Sequence, residues 1–215
     1  MCIRDRLHTY AALGEGRSVA LSAMDGSIDW WCVPNMDSPP LFDRLLTGTD
    51  PLPDGTHGGH FALQPEVPFR STRRYLPHSN VLETRFITDE GEAVMTESLN
   101  SGTAGRLPWC ELARRIECVH GRVPFGMVLQ LGHQAGMRSP YMSKVGANRM
   151  FHVGTVMGTL IHDDAIQVHA SDDRMEARFE VTAGQRRTFA VVAGAAEPLV
   201  TVSYTHLTLP TICSV

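Results

Sequence analysis

The chain has 215 residues, of which 43% are hydrophobic and 20% charged, and a formal net charge of -4; this is the balance of a globular domain. A pI near 6.2 without a basic stripe leaves no electrostatic footprint for nucleic acid, and no run of about 18 apolar residues suggests a membrane span. Five cysteines, none spaced C-x-x-C, fit neither a disulfide framework nor a structural zinc site, so a reducing cytoplasm is the expected compartment.

Residues 1–6 read as translated sequencing adapter. The transposase end sequence ATG TGT ATA AGA GAC AG encodes Met1, Cys2, Ile3, Arg4 and Asp5, followed by Arg or Ser. From residue 7 onward the hydrophobic period is mostly two, broken by turn signals, which predicts antiparallel strands. Residues 18–23 and 27–33 flank Met24-Asp25-Gly26, and Asp-Gly favours a tight hairpin because it tolerates positive φ. In the second of these strands Ile28, Trp30 and Cys32 share one face, while Ser27, Asp29 and Trp31 share the other. Trp30 is therefore expected inside, with Trp31 covering the sheet surface or an interdomain contact.

A short helical turn is expected at residues 40–46, entered by Asp37-Ser38 as caps and ended near Gly48. Residues 49–60, rich in Gly, Pro and Asp, read as an exposed loop. His57 and His60, like His162-Asp163-Asp164, have no third ligand at a suitable spacing, so no metal is expected.

Residues 81–88 and 92–99 flank Asp89-Glu90-Gly91 as a second hairpin. A third is expected to turn at His120-Gly121. Before that turn Cys110, Leu112, Ile116 and Cys118 point inward, with Arg114 out of pattern; after it Val123, Phe125, Met127, Leu129 and Leu131 share one face. Cys32, Cys110 and Cys118 are expected to act as small core hydrophobes. Further strands are expected at 151–156, 165–169, 174–181 and 187–192, with Ala183-Gly184-Gln185 turning the last pair. Residues 202–215 again read as adapter: GTC TCT TAT ACA CAT CTG ACG CTG CCG ACG encodes Val202 through Thr211. Residues 7–200 are then the biological segment, expected to form one all-β, antiparallel sandwich.

Tyr10 to Leu46 reads YAALGEGRSVALSAMDGSIDWWCVPNMDSPPLFDRLL, and this resembles the N-terminal domain of bacterial and archaeal glycoside hydrolase family 15 proteins, of the glucoamylase and trehalase type. Tyr10, Gly14, Asp25, Gly26, Ser27, Ile28, Asp29, Trp30, Pro34, Asp37, Ser38 and Pro39 carry the motif. The resemblance continues through GGHFALQP at 58–65, RRYLPHSNVLETRF at 73–86 and RRIECVHGRVPFGMVLQL at 114–131. It departs at Asn35-Met36, where the family more often has Arg-Phe.

The resemblance implies a β-supersandwich followed, in the parent protein, by an (α/α)6 barrel. That barrel hydrolyses α-glucosidic bonds with inversion, using one carboxylic acid and one carboxylate about 6.5–9.5 Å apart. Both glutamates of the family lie in the barrel, beyond residue 200, so this chain is expected to be inactive alone, with no catalytic residue and no cofactor. Its expected partner is the barrel, and the α-glucoside substrate belongs to the parent. Asp29, Trp31 and Asp37 are the candidate substrate-binding residues, on a loop at the barrel mouth; the bland alternative is that they pack and cap. Should the domain dock on a barrel, Trp31, Val33 and Leu41 are expected to form an exposed apolar patch. A free-standing carbohydrate-binding or interaction sandwich is the other reading.

Overall fold

A computed structural model describes residues 7–48, 57–100, 109–133, 140–145 and 148–195. The two adapter-like segments, 1–6 and 202–215, lie outside these residues. Strands β1 (Ala11–Gly14), β2 (Val19–Ser22), β3 (Ser27–Cys32) and β4 (Pro40–Phe42) precede the short helix α1 (Arg44–Thr47). β5 (His60–Pro65), β6 (Arg70–Tyr75), β7 (Leu82–Ile87) and β8 (Gly91–Asn100) follow, then the long β9 (Cys110–Gln130). The remaining strands are β10 (Tyr141–Val145), β11 (Asn148–Val153), β12 (Val156–His162), β13 (His169–Ala170), β14 (Arg174–Thr182) and β15 (Arg186–Ala195).

All the pairings are antiparallel and fall into two sheets that share β9. One runs β1-β2-β3-β5-β9-β14-β13, with β4 also against β3. The other runs β6-β7-β8-β9-β15-β12-β11-β10. The fold is thus the all-β antiparallel sandwich read from the alternation, and its core joins inward residues of both sheets, including Ile28, Phe61, Phe86, Leu112, Phe125 and Phe189.

The expected hairpin at His120-Gly121 does not form. Cys110–Gln130 is one strand, whose first half pairs with β8 and β15 and whose second half pairs with β5 and β14. Opposite the corner the register slips between Glu92 and Ala93, so that Ala93 faces Cys118 and Glu92 faces His120, leaving Val119 without a partner. Gly121 has φ +67. This bulge and left-handed residue bend the strand into the second sheet and shift the inward positions from Cys118 to Val123, the parity change that made one strand look like two.

The hairpins at Asp25-Gly26 and around Asp89-Glu90-Gly91 form as expected, and Gly184 turns β14 into β15 with φ +80. The segment expected as a strand at 165–169 is not one, apart from His169 at the start of β13, and the strand expected at 151–156 is split between β11 and β12. The helical turn lies later than expected, because Pro40–Phe42 is taken up by pairing with β3. Asp43 is its N-terminal flanking residue, and its C-terminal end is closed by the Gly48 N–H donating to the Arg44 carbonyl at 2.8 Å. Asp37-Ser38 therefore does not cap it. Cys32, Cys110 and Cys118 are free and buried.

One side of the sandwich is closed by side chains. Alternate residues of β6 reach across to the other sheet. Ser71 Oγ donates to the Met24 carbonyl (2.7 Å), Arg73 Nη1 to that of Ser22 (2.9 Å), and Tyr75 Oη both donates to Ala12 O (2.8 Å) and accepts from Ala12 N (2.9 Å). Tyr75 thereby satisfies backbone groups on β1 that an unpaired edge would leave open.

Candidate functional site

Between β2 and β3 the register slips: Leu21 faces Trp30 but Ser22 faces Ile28, so Asp29 has no cross-strand partner. The bulge reverses the expected placement of the tryptophans. Trp31 joins Ile28 in the core at 0% exposure, while Trp30 is only half-buried, because one extra residue moves every later side chain to the other face. Trp31 packs on Phe42 with ring centroids 5.8 Å apart, and its indole N–H donates to Ser18 Oγ at 2.9 Å. The expected apolar patch is absent: Trp31, Val33 and Leu41 are all fully buried in the sandwich core.

Released from the ladder, the Asp29 carboxylate gathers three donors. Tyr10 Oη donates to Oδ2 at 2.6 Å, while Arg44 donates to Oδ1 through Nε at 2.9 Å and Nη2 at 2.5 Å. Asp29 is buried and the Arg44 side chain nearly so, which makes this a charge-assisted pair shielded from water. Burial, and then the Asp29 carboxylate, hold the Tyr10 hydroxyl well above its ordinary range.

His60 is near enough to the same group to feel its charges. Burial first and Arg44 second push its pKa down to about 4. Its Nδ1 lies 3.0 Å from the Gly58 carbonyl, which can only accept, so in the neutral ring Nδ1 carries the proton and Nε2 is an acceptor.

Close backbone packing supports this end of the sheet. Asp43 Oδ1 accepts from Gly59 N–H at 2.7 Å. A Cβ on Gly59 would come within 2.6 Å of Gly132 Cα, and one on Gly58 would collide with Thr47 Oγ1. The Gly58-Gly59 pair, expected in an exposed loop, is in fact buried, with glycine required by contact rather than by flexibility. His57 and Asp164 are exposed, and His162 Nδ1 lies by the Asp163 carbonyl. Among the described residues no three His, Cys, Asp or Glu side chains converge.

The structure therefore separates the three candidate residues. Asp29 is buried in an ion pair, Trp31 is in the core, and Asp37 alone is exposed, on the turn that follows Pro34. Tyr10, Arg44 and His60, which complete the cluster around Asp29, were not among the candidates. Tyr10 stood in the motif without a role, and nothing in the sequence marked the bulge that brings them together.

Residues 4–102 match the family described as trehalase-like, N-terminal. The chain is 34% identical over 116 residues to the trehalase of Mycobacterium tuberculosis and also to that of Mycolicibacterium smegmatis, in each case covering 54% of this chain and 15% of the relative. It is 34% identical over 90 residues to trehalase 2 of Sulfolobus acidocaldarius, covering 42% of this chain and 14% of that protein. The matched part thus spans about 15% of the length of these curated relatives. Over residues 4–102 the chain is thus similar to the trehalase-like N-terminal family.

Proposed function

We propose that the chain is the non-catalytic N-terminal part of a cytoplasmic trehalase-type glycoside hydrolase acting on α-glucosidic bonds. The observation that carries this reading is the similarity to trehalases, which falls on only about 15% of their length. Hydrolysis with inversion needs an acid and a base on opposite faces of the scissile bond. Here Asp29 and Glu97 are instead tied to Arg44 and Arg114, roles that support the fold. The acid and base are assigned to a following (α/α)6 barrel, which is the partner of this domain, and no cofactor is called for. Buried free thiols at Cys32, Cys110 and Cys118 support a reducing compartment.

The test is glucose release from α,α-trehalose and from maltose. The 215-residue chain is expected to be inactive and the parent gene product active, with the released anomer inverted by NMR. Hydrolysis by this chain alone, or a parent frame that ends without further domains, overturns the reading and leaves a free-standing sugar-binding sandwich.

Within this proposal Asp37 is the residue available to touch a sugar hydroxyl, while Asp29 is a positioning residue for Arg44 and Tyr10. Asp37→Ala in the parent is expected to raise KM for trehalose about tenfold, the scale of one hydrogen bond to a charged group, with melting temperature unchanged. An unchanged KM would remove Asp37 from the site.

A further inference from the structure

The outer face of the first sheet carries a trough of about 480 Å³ that no part of the trehalase-like match accounts for, since among its lining residues only Glu66 lies within residues 4–102. Its floor is short. Register places Gln64, Gly126 and Arg178 in one row across β5, β9 and β14, and Ala62, Val128 and Glu176 in the next outward-facing row. Gly126 contributes no side chain, and the Glu66 side chain lies over it. Glu66 Oε1 holds Arg178 Nε at 2.8 Å, and Arg174 Nε holds Glu176 Oε2 at 3.0 Å. Gln167 and His169 complete the rim.

The charge pattern selects the class of ligand. Two arginines face two glutamates, so the trough has no net charge with which to concentrate either an anion or a cation. Each arginine spends its Nε on a glutamate, so its terminal NH2 groups remain as donors, while the glutamates and Gln167 supply acceptors. Alternating donors and acceptors over a small-residue floor suit a neutral ligand dense in hydroxyl groups. From Arg174 to Arg178 the trough follows β14 for about 14 Å, longer than a single sugar ring.

We propose that this trough is a surface site for a neutral oligosaccharide of the α-glucan class, separate from the Asp29 end of the domain. The proposal rests on the glycosidase reading for its choice of sugar. With no aromatic platform among the described lining residues, binding is weak, with Kd on the order of 1 mM.

The probes are maltoheptaose titrated into the 215-residue chain by NMR or calorimetry, and native electrophoresis in gels containing soluble starch. The chain is expected to bind maltoheptaose and to be retarded by starch. The double variant Glu176→Gln/Arg178→Ala is expected to weaken binding at least about tenfold, and Gly126→Gln, which fills the floor, to do the same. Arg85→Ala, on the other sheet, should change nothing; each variant is first checked for an unchanged melting temperature.

Absence of binding by the unaltered chain, equal binding by the trough variants, or preference for a sulfated oligosaccharide over maltoheptaose overturns the site. If the parent hydrolyses trehalose while this chain ignores maltoheptaose, the trough falls and the glycosidase reading stands. If the chain binds maltoheptaose and the parent hydrolyses no α-glucoside, the site stands and the glycosidase reading falls.

Discussion

Arg114 breaks the apolar alternation of β9 because it is needed inside. Its Nε donates to Glu97 Oε1 at 3.0 Å, Nη1 to the Phe61 carbonyl at 2.9 Å and Nη2 to the Gly26 carbonyl at 2.7 Å, and it lies 4.9 Å from the Phe61 ring centroid. Glu97 Oε2 in turn accepts from Ser22 Oγ at 3.1 Å. One buried ion pair thus ties the two sheets together across the core. Removing one partner strands a charge, so Arg114→Met is expected to lose about 3–5 kcal/mol of stability in urea unfolding at neutral pH, and Arg114→Met/Glu97→Leu to recover most of that loss. A single-variant loss below about 1 kcal/mol would deny the pair this role.

His60 adds a pH dependence. Its folded pKa of about 4 lies below the ordinary 6.5, so the unfolded chain binds the extra proton first as pH falls. Its contribution is complete above about pH 6.5 and is lost towards pH 4, on the order of 3 kcal/mol in all. His60→Gln should flatten the stability profile across that window, and an unaltered slope would place the acid sensitivity elsewhere. The sequence offered Arg114 as an anomaly and His60 only as a poor metal ligand. Their partners come from strands far apart in the chain, and periodicity carries no information about such meetings.

At the scale of elements, strands with an apolar face were legible and strands without one were not. β7 alternates cleanly and β8 does so over its first half, and both were read within a residue or two. β6, with the sequence RSTRRY, shows no apolar period, because its inward contacts are the polar bonds of Ser71, Arg73 and Tyr75. Bulges were invisible as well, and each inverted a face: the one at Asp29 exchanged Trp30 for Trp31, and the one at Val119 turned a single strand into an apparent hairpin. The corner of β9 can be tested against an ordinary turn. Gly121 and Gly184 both have positive φ, at +67 and +80, but a Cβ on Gly121 would strike the Glu90 carbonyl oxygen, whereas one on Gly184 meets nothing within 4 Å. Gly184→Ala is therefore expected to lose about 1 kcal/mol from dihedral strain alone. Gly121→Ala should lose roughly 3 kcal/mol or more, since backbone must also move. Equal losses in thermal or urea unfolding would mean that the corner is not closely packed.

For the whole molecule, the sandwich reaches well past the matched region. Residues 4–102 contain β1 to β8, but β9 occupies a central position in both sheets, and β14 and β15 flank it. The matched part cannot close its own core, so the folding unit extends at least to β15. The adapter reading of the two terminal segments can be tested in turn. The family match begins at residue 4, three residues inside the first adapter-like segment, so the second segment gives the cleaner test. If residues 202–215 are translated adapter, they were never selected to pack against the sandwich, and their β-propensity is an accident of codons. Deleting 202–215 is then expected to change the free energy of unfolding by no more than about 0.5 kcal/mol, the scale of changes that touch no special feature. Urea denaturation of the full and shortened chains measures this directly. A loss of several kcal/mol would make the segment part of the fold, and residues 202–211 would then have to be read as protein rather than as adapter.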